Sequence, residues 1–142
     1  MVQALKVIKA LDERFATDYV VRIITGAFMI YHGSEIFSLE LMKGYETRLA
    51  EMKMSHAALQ AYIGKLAELL SGIFLALGLF TRVGAVIMAG TMTFITFVIG
   101  SGKFYYEDQH PFMFVLLAFI FFFDGGKKWS LDNMLFRKKV LQ

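Results

Sequence analysis

Histidine, glutamate and lysine side chains can pass protons, hydrogen-bond a carbonyl or hold a metal. Five of them fall inside or beside apolar runs of this chain. His32 and Glu35 lie in "MIYHGSEIF", Lys65 and Glu68 in "YIGKLAELL", and His110 in "DQHPFMF". In hydrocarbon each ionisable group costs about 2.5–3.5 kcal/mol, so such residues need partners or a polar cavity. Two uses are open to them. As a set they could hydrogen-bond a ligand carbonyl and carry protons, or they could clamp helices together by satisfying one another. A metal site from His32, Glu35 and Glu68 is disfavoured by the cation of Lys65, so no metal is expected. No nucleophile triad, phosphate loop or nucleic-acid motif is present.

Position on the helix sharpens the set. At 100° per residue, Arg22, Thr25, Gly26, Met29, His32 and Gly33 share one face, and Lys65, Glu68, Leu69, Gly72 and Ala76 share another. Glycines in these stripes allow close helix approach. At about 1.5 Å per residue, His32 lies about 6 Å and Glu68 about 4 Å to the outer side of their segment centres. They are therefore expected at one level and able to touch. Glu35, rotated from His32 and nearer the surface, is the weaker candidate; Lys65 and His110 stand at its level. Arg22 lies about 9 Å to the other side, where Asp18 or Asp124 would be its partner.

The elements that position these residues read as membrane helices. The chain has 142 residues, 57% hydrophobic, with 15 Phe and 9 Met and a mean hydropathy of +0.56. A soluble domain of this size has too little interior for so much apolar side chain. Four segments near the roughly 20 residues of a spanning helix cover about 19–37, 61–80, 83–100 and 108–124. Pro111 sits in the first turn of the fourth, where its missing N–H costs little. Ahead of them, Leu5, Ile8, Leu11 and Phe15 mark an amphipathic surface helix over 3–15. Residues 38–60 are polar with helical composition, predicting an outer-side helix, and Ser55 is a candidate N-cap for the second span. "TRVG" predicts a tight hairpin, and Ser130 and Asp132 would cap a short C-terminal helix.

The expected fold class is therefore all-α, an integral membrane four-helix transmembrane bundle with an N-terminal interfacial helix, in one domain. With no cysteine, thiol redox centres and disulfides are excluded. The net charge of +3 comes from residues flanking apolar segments, so it points to the bilayer and not to nucleic acid. One side holds nine loop Lys and Arg residues and the other four. The positive-inside rule then places both termini and Arg82 in the cytoplasm.

Arg22, the "HG" of His32 and Gly33, "KLAELLSGIFLALGLFTR" from Lys65 to Arg82, and "DGGKKWSLD" from Asp124 to Asp132 resemble the DoxX family over about residues 18–132. That resemblance implies four spans in a bacterial cytoplasmic (inner) membrane. It assigns Arg22, His32, Glu68 and Arg82 to the family pattern. It also implies a link to respiratory chemistry, since one relative is the small subunit of a thiosulfate:quinone oxidoreductase. Other relatives act as assembly or maturation partners. Two functions follow as expectations: a non-catalytic subunit or assembly partner of a membrane complex, or a quinone-linked redox subunit using His32 and Glu68. A small transporter is a third. No covalent cofactor is implied; a quinone or a lipid would be the ligand, and other membrane subunits or a homo-oligomer the partners. Many family members carry a lysine shortly after the "HG" pair, where Ser34, Glu35 and Ile36 stand here. This favours proton or hydrogen-bond work over anion binding.

Overall fold

The computed structural model describes residues 1–3, 17–127 and 129–136, and these contain helices and no strand. The expected surface helix over 3–15 falls almost wholly outside the described residues. Helix α1 spans Thr17–Ser34 and runs into a 3-10 turn, Glu35–Phe37. Helix α2 spans Leu39–Glu51, started by the Ser38 hydroxyl accepting from Leu41 N–H. Helix α3 spans Ala57–Leu77 and α4 spans Thr81–Phe94, continued by a π-helical turn over Ile95–Ile99. Helix α5 spans Gln109–Asp124, with Pro111 in its first turn as expected, and α6 is the short Leu131–Phe136.

Helix α3 is the hub: α1, α2 and α4 pack on it, and α5 packs on α4. The glycine stripes set the closest approach. A Cβ added to Gly26 would lie 2.5 Å from Ala76 N, and one on Gly72 would lie 2.6 Å from Ile30 N. Only hydrogen fits there, so backbone meets backbone and dispersion replaces side-chain interdigitation. An apolar core of Met29, Leu75, Met88, Phe114, Val115 and Phe121 fills the space between α1, α3, α4 and α5.

Burial is inverted relative to a water-soluble protein. Arg22, Thr25, Lys65, Glu68, Ser71 and Thr96 are buried, while Phe28, Ile63, Val86, Phe119, Ile120 and Phe123 are exposed. So large an exposed apolar surface requires an apolar environment. By length and composition, α3 and the stretch Thr81–Ile99 are able to cross a membrane, and α5 is apolar but shorter. Helix α1 carries Asp18, Arg22 and His32 within its 18 residues, which lowers its apolarity.

Three local expectations are corrected. Ser55 does not cap α3. His56, at φ 54°, occupies the cap position, and the Ser55 carbonyl instead accepts from Gln60 Nε2 at 2.7 Å. The left-handed residues Lys53 and His56 tighten the α2–α3 turn and shift the helix start past Ser55. Asp132 does not cap its own helix: its carboxylate accepts from Phe80 N at 2.6 Å and Thr81 N at 2.9 Å, the first turn of α4. Ser130 does cap α6, accepting from Asn133 N–H. Arg22 meets neither Asp18 nor Asp124. It donates to the carbonyls of Leu75 at 3.0 Å and Trp129 at 2.5 Å, while Lys127 engages both aspartates.

The end of the molecule at the α3–α4 turn works as a clasp. Gly78, at φ 65°, ends α3 in the left-handed conformation, with Leu79 N–H bonded to Phe74 O at 3.0 Å. Its own carbonyl accepts from Asp132 N–H at 2.9 Å. Arg22 adds a charged donor to the Leu75 carbonyl, which also accepts from Gly78 N–H at 3.2 Å, and the Asp132 carboxylate satisfies free N–H groups at the start of α4.

Candidate functional site

The end of the molecule opposite the clasp holds a cavity of about 270 Å³. Its apolar wall includes Leu49, Met92, Ile95, Ile99 and Phe114, and its polar wall His32, Tyr45, Arg48, Lys65, Glu68 and His110. Each helix contributes for a local reason. His32 ends the inward stripe of α1, and Lys65 and Glu68 stand one turn apart on the inward stripe of α3. Tyr45, Arg48 and Leu49 fall at i, i+3 and i+4, one face of α2, and Met42 and Leu49 on that face pack against Ala61. The π turn brings Ile95 and Ile99 to the wall; it closes with Gly100 N–H donating to Ile95 O at 2.7 Å. The Thr96 hydroxyl bonds back to Met92 O at 2.8 Å.

The charges form a chain. Lys65 Nζ lies 2.8 Å from Glu35 Oε2 and 2.9 Å from Glu68 Oε2, and the Tyr45 hydroxyl donates to the same Glu35 oxygen at 2.6 Å. Lys65 Nζ also sits 4.5 Å above the centre of the Tyr45 ring, a cation–π contact. Side-chain exposure falls along the chain from 21% at Glu35 to 11% at Lys65 and 5% at Glu68. Burial, and then the carboxylate of Glu35, push the Tyr45 phenol above its usual value.

His32 and Glu68 line one cavity, but no hydrogen bond joins them. Glu68 is held by Lys65. The His32 ring instead meets His110 edge-on, with centroids 5.8 Å apart, and His110 packs in turn on Phe114. Glu35, the outermost of the expected set, proves to be the junction between α1, α2 and α3. Tyr45 and Arg48 were missed because α2 looked like surface; their spacing of three with Leu49 is the signal that could have found them. Arg22, Arg82 and Asp124 lie at the opposite end. Arg22 is in the clasp, Arg82 is exposed near Gly125, and Asp124 pairs with Lys127. Among the described residues no group of three His, Cys, Asp or Glu is placed to hold a metal ion.

The family model for DoxX matches residues 17–101 of the chain, from the start of α1 to just beyond the π turn. The chain belongs to the DoxX family. It is thus a small membrane protein, in agreement with its exposed apolar helices. The match takes in Arg22, His32, Glu35, Tyr45, Arg48, Lys65 and Glu68, while His110 lies beyond it. Neither the curated proteins nor the solved structures provide a match.

Proposed function

We propose that this DoxX-family protein is a four-span bundle of the bacterial cytoplasmic membrane whose outer-half cavity receives the ring of a lipid-soluble quinone. It serves there as the quinone-site subunit of a larger membrane complex. The observation that carries this is the cavity itself, about 270 Å³ with an apolar wall facing imidazole, ammonium and carboxylate groups. This volume is just below the roughly 300–1,000 Å³ of sites for drug-sized molecules, so it has room for a ring headgroup alone, with the tail extending into lipid. α1 and α5 supply the spans beyond the two long apolar helices, and the Lys and Arg distribution favours both termini in the cytoplasm.

The residues fit a quinone because His32 and His110 offer ring N–H donors with no protein hydrogen bond among the described residues. When bound, the quinone supplies the two-electron, two-proton chemistry, and electrons must come from another subunit. The chain's own part is to hold the ring carbonyl at the two histidines and to exchange protons through Glu68 and Lys65 with Glu35, the most exposed member. Purified protein should bind a short-chain quinone analogue, and His32→Ala and His110→Ala should each weaken that binding. Equal affinity in both variants would sink the assignment.

The assembly-partner function has one observation in its favour: Glu35, Lys65, Glu68 and Tyr45 satisfy one another without any ligand. In that case His32→Ala would leave ligand binding irrelevant and instead lower the yield of the assembled complex.

A further inference from the structure

The groups facing the cavity divide into those already engaged and those still seeking a partner. Lys65 is bonded to Glu68, and to Glu35 behind it, so both carboxylates already share a cation. Tyr45 donates to Glu35, Thr91 to the Ile87 carbonyl, and Gln60 to the Ser55 carbonyl. Three lining side chains make no hydrogen bond or ion pair among the described residues: Arg48, His32 and His110. All three are donors, and Arg48 is always charged. No lining carboxylate is left unengaged.

Arg48 lines the cavity while remaining exposed to solvent. It lies at i+3 from Tyr45 and i−1 from Leu49 on a face of α2 that the buried Leu49 fixes against α3. Its guanidinium therefore brings to a largely apolar space a positive charge that no carboxylate contacts among the described residues. A neutral carbonyl satisfies a histidine N–H but leaves that charge unpaired. An ionised oxygen on the ligand pairs with it and gains a charge-assisted hydrogen bond. The lysine absent after Gly33 does not leave the cavity without a cation, because α2 provides one from a different helix. Phe114 and the two imidazoles offer flat faces and edges on which a ring rests better than a chain.

We propose that the cavity selects ring ligands that carry an ionised hydroxyl, such as a hydroxyquinone, over their neutral counterparts, with Arg48 as the specificity-determining counter-ion. This rests on the quinone assignment above and goes further by naming the ionisation state of the ring and the residue that reads it.

The test is equilibrium binding to the full, detergent-solubilised chain at neutral pH with 2-hydroxy-1,4-naphthoquinone, which is ionised there, and 1,4-naphthoquinone, which is neutral. The wild type should favour the hydroxylated ring by about tenfold, the size expected of one charged hydrogen bond. Arg48→Gln should bring the ratio close to one, Arg48→Lys should keep part of it, and Arg82→Gln, which removes a charge at the far end, should keep all of it. A wild-type ratio near one with both rings bound overturns this proposal alone and leaves the quinone assignment standing; an arginine that serves only a lipid phosphate gives that result. A preference that survives Arg48→Gln also overturns it. Binding of neither ring overturns both. Decanoate bound as tightly as the hydroxylated ring overturns the requirement for a ring.

Discussion

Oε2 of Glu35 lies 2.8 Å from Nζ of Lys65, joining the turn after α1 to the middle of α3. Lys65 is the shared cation of two carboxylates, Glu35 and, on its far side, the more deeply buried Glu68. Removing one member of a buried ion pair typically costs about 3–5 kcal/mol, because a charge is left uncompensated, whereas replacing the whole set by apolar groups is often neutral. Lys65→Met should therefore lower thermal stability in detergent sharply. The triple variant Glu35→Gln, Lys65→Met, Glu68→Leu should recover most of the loss. Failure of the triple variant to recover would mean that the cluster is not the source of the cost.

The clasp predicts an asymmetry between two substitutions. Arg22→Lys keeps the charge but has no planar fork to reach the Leu75 and Trp129 carbonyls together. It should cost about 1.5–3 kcal/mol, one charged hydrogen bond. Thr81→Val should be neutral or stabilising, because the Thr81 Oγ1 is buried without a hydrogen-bond partner among the described residues. Thermal melts of both variants check the pair, and a strongly destabilised Thr81→Val would refute the account of its hydroxyl.

The inward stripes were legible in the sequence because a 100° period needs no tertiary information: Arg22, Thr25, Gly26 and Met29 are all buried, as are Lys65, Glu68 and Gly72. The tight α3–α4 turn and the start of α5 were legible for the same reason, since both depend on local residue types. The partners were not. Depth along a helix fixes level but not rotation of one helix against another, so His32 was matched with Glu68 when its ring meets His110. The bond of Asp132 to Phe80 crosses 52 positions, and no local pattern announces it. The π turn at Ile95–Ile99 has no signature in "ITFVI", and the role of Arg48 needs the docking of α2 to become visible.

The phenol of Tyr45 gives the outer cluster a pH dependence. Its pKa is raised, by burial first and by the Glu35 acceptor next. A raised value means that the neutral form is favoured in the folded state. The stabilisation is thus fully present below the ordinary tyrosine range, about pH 10, and is lost as pH rises through the folded value. The stability difference between wild type and Tyr45→Phe should stay constant from pH 7 to about 9.5 and then shrink or reverse. Melting curves across that range decide it; a difference that grows with pH would contradict the sign.

Gly64 separates a cavity that binds from one that merely exists. It lies on α3 at the cavity wall, and a Cβ built there meets nothing within 4 Å. A larger side chain therefore enters empty space without pushing a helix away, unlike any substitution at Gly26 or Gly72. Gly64→Leu should leave stability unchanged or raise it, since glycine costs about 1 kcal/mol in a helix relative to alanine. The same leucine occupies room a ring would need and should weaken quinone-analogue binding by at least about tenfold, equivalent to 1.4 kcal/mol. The comparison Gly72→Leu should fail to fold properly, because Ile30 N and Gly26 O stand where its side chain would begin. A stable Gly64→Leu protein with undiminished affinity would place the ligand elsewhere. A stable protein that has lost affinity would leave the polar chain of Glu35, Lys65 and Glu68 intact behind a filled cavity. That result would separate binding from the structural work of the charges.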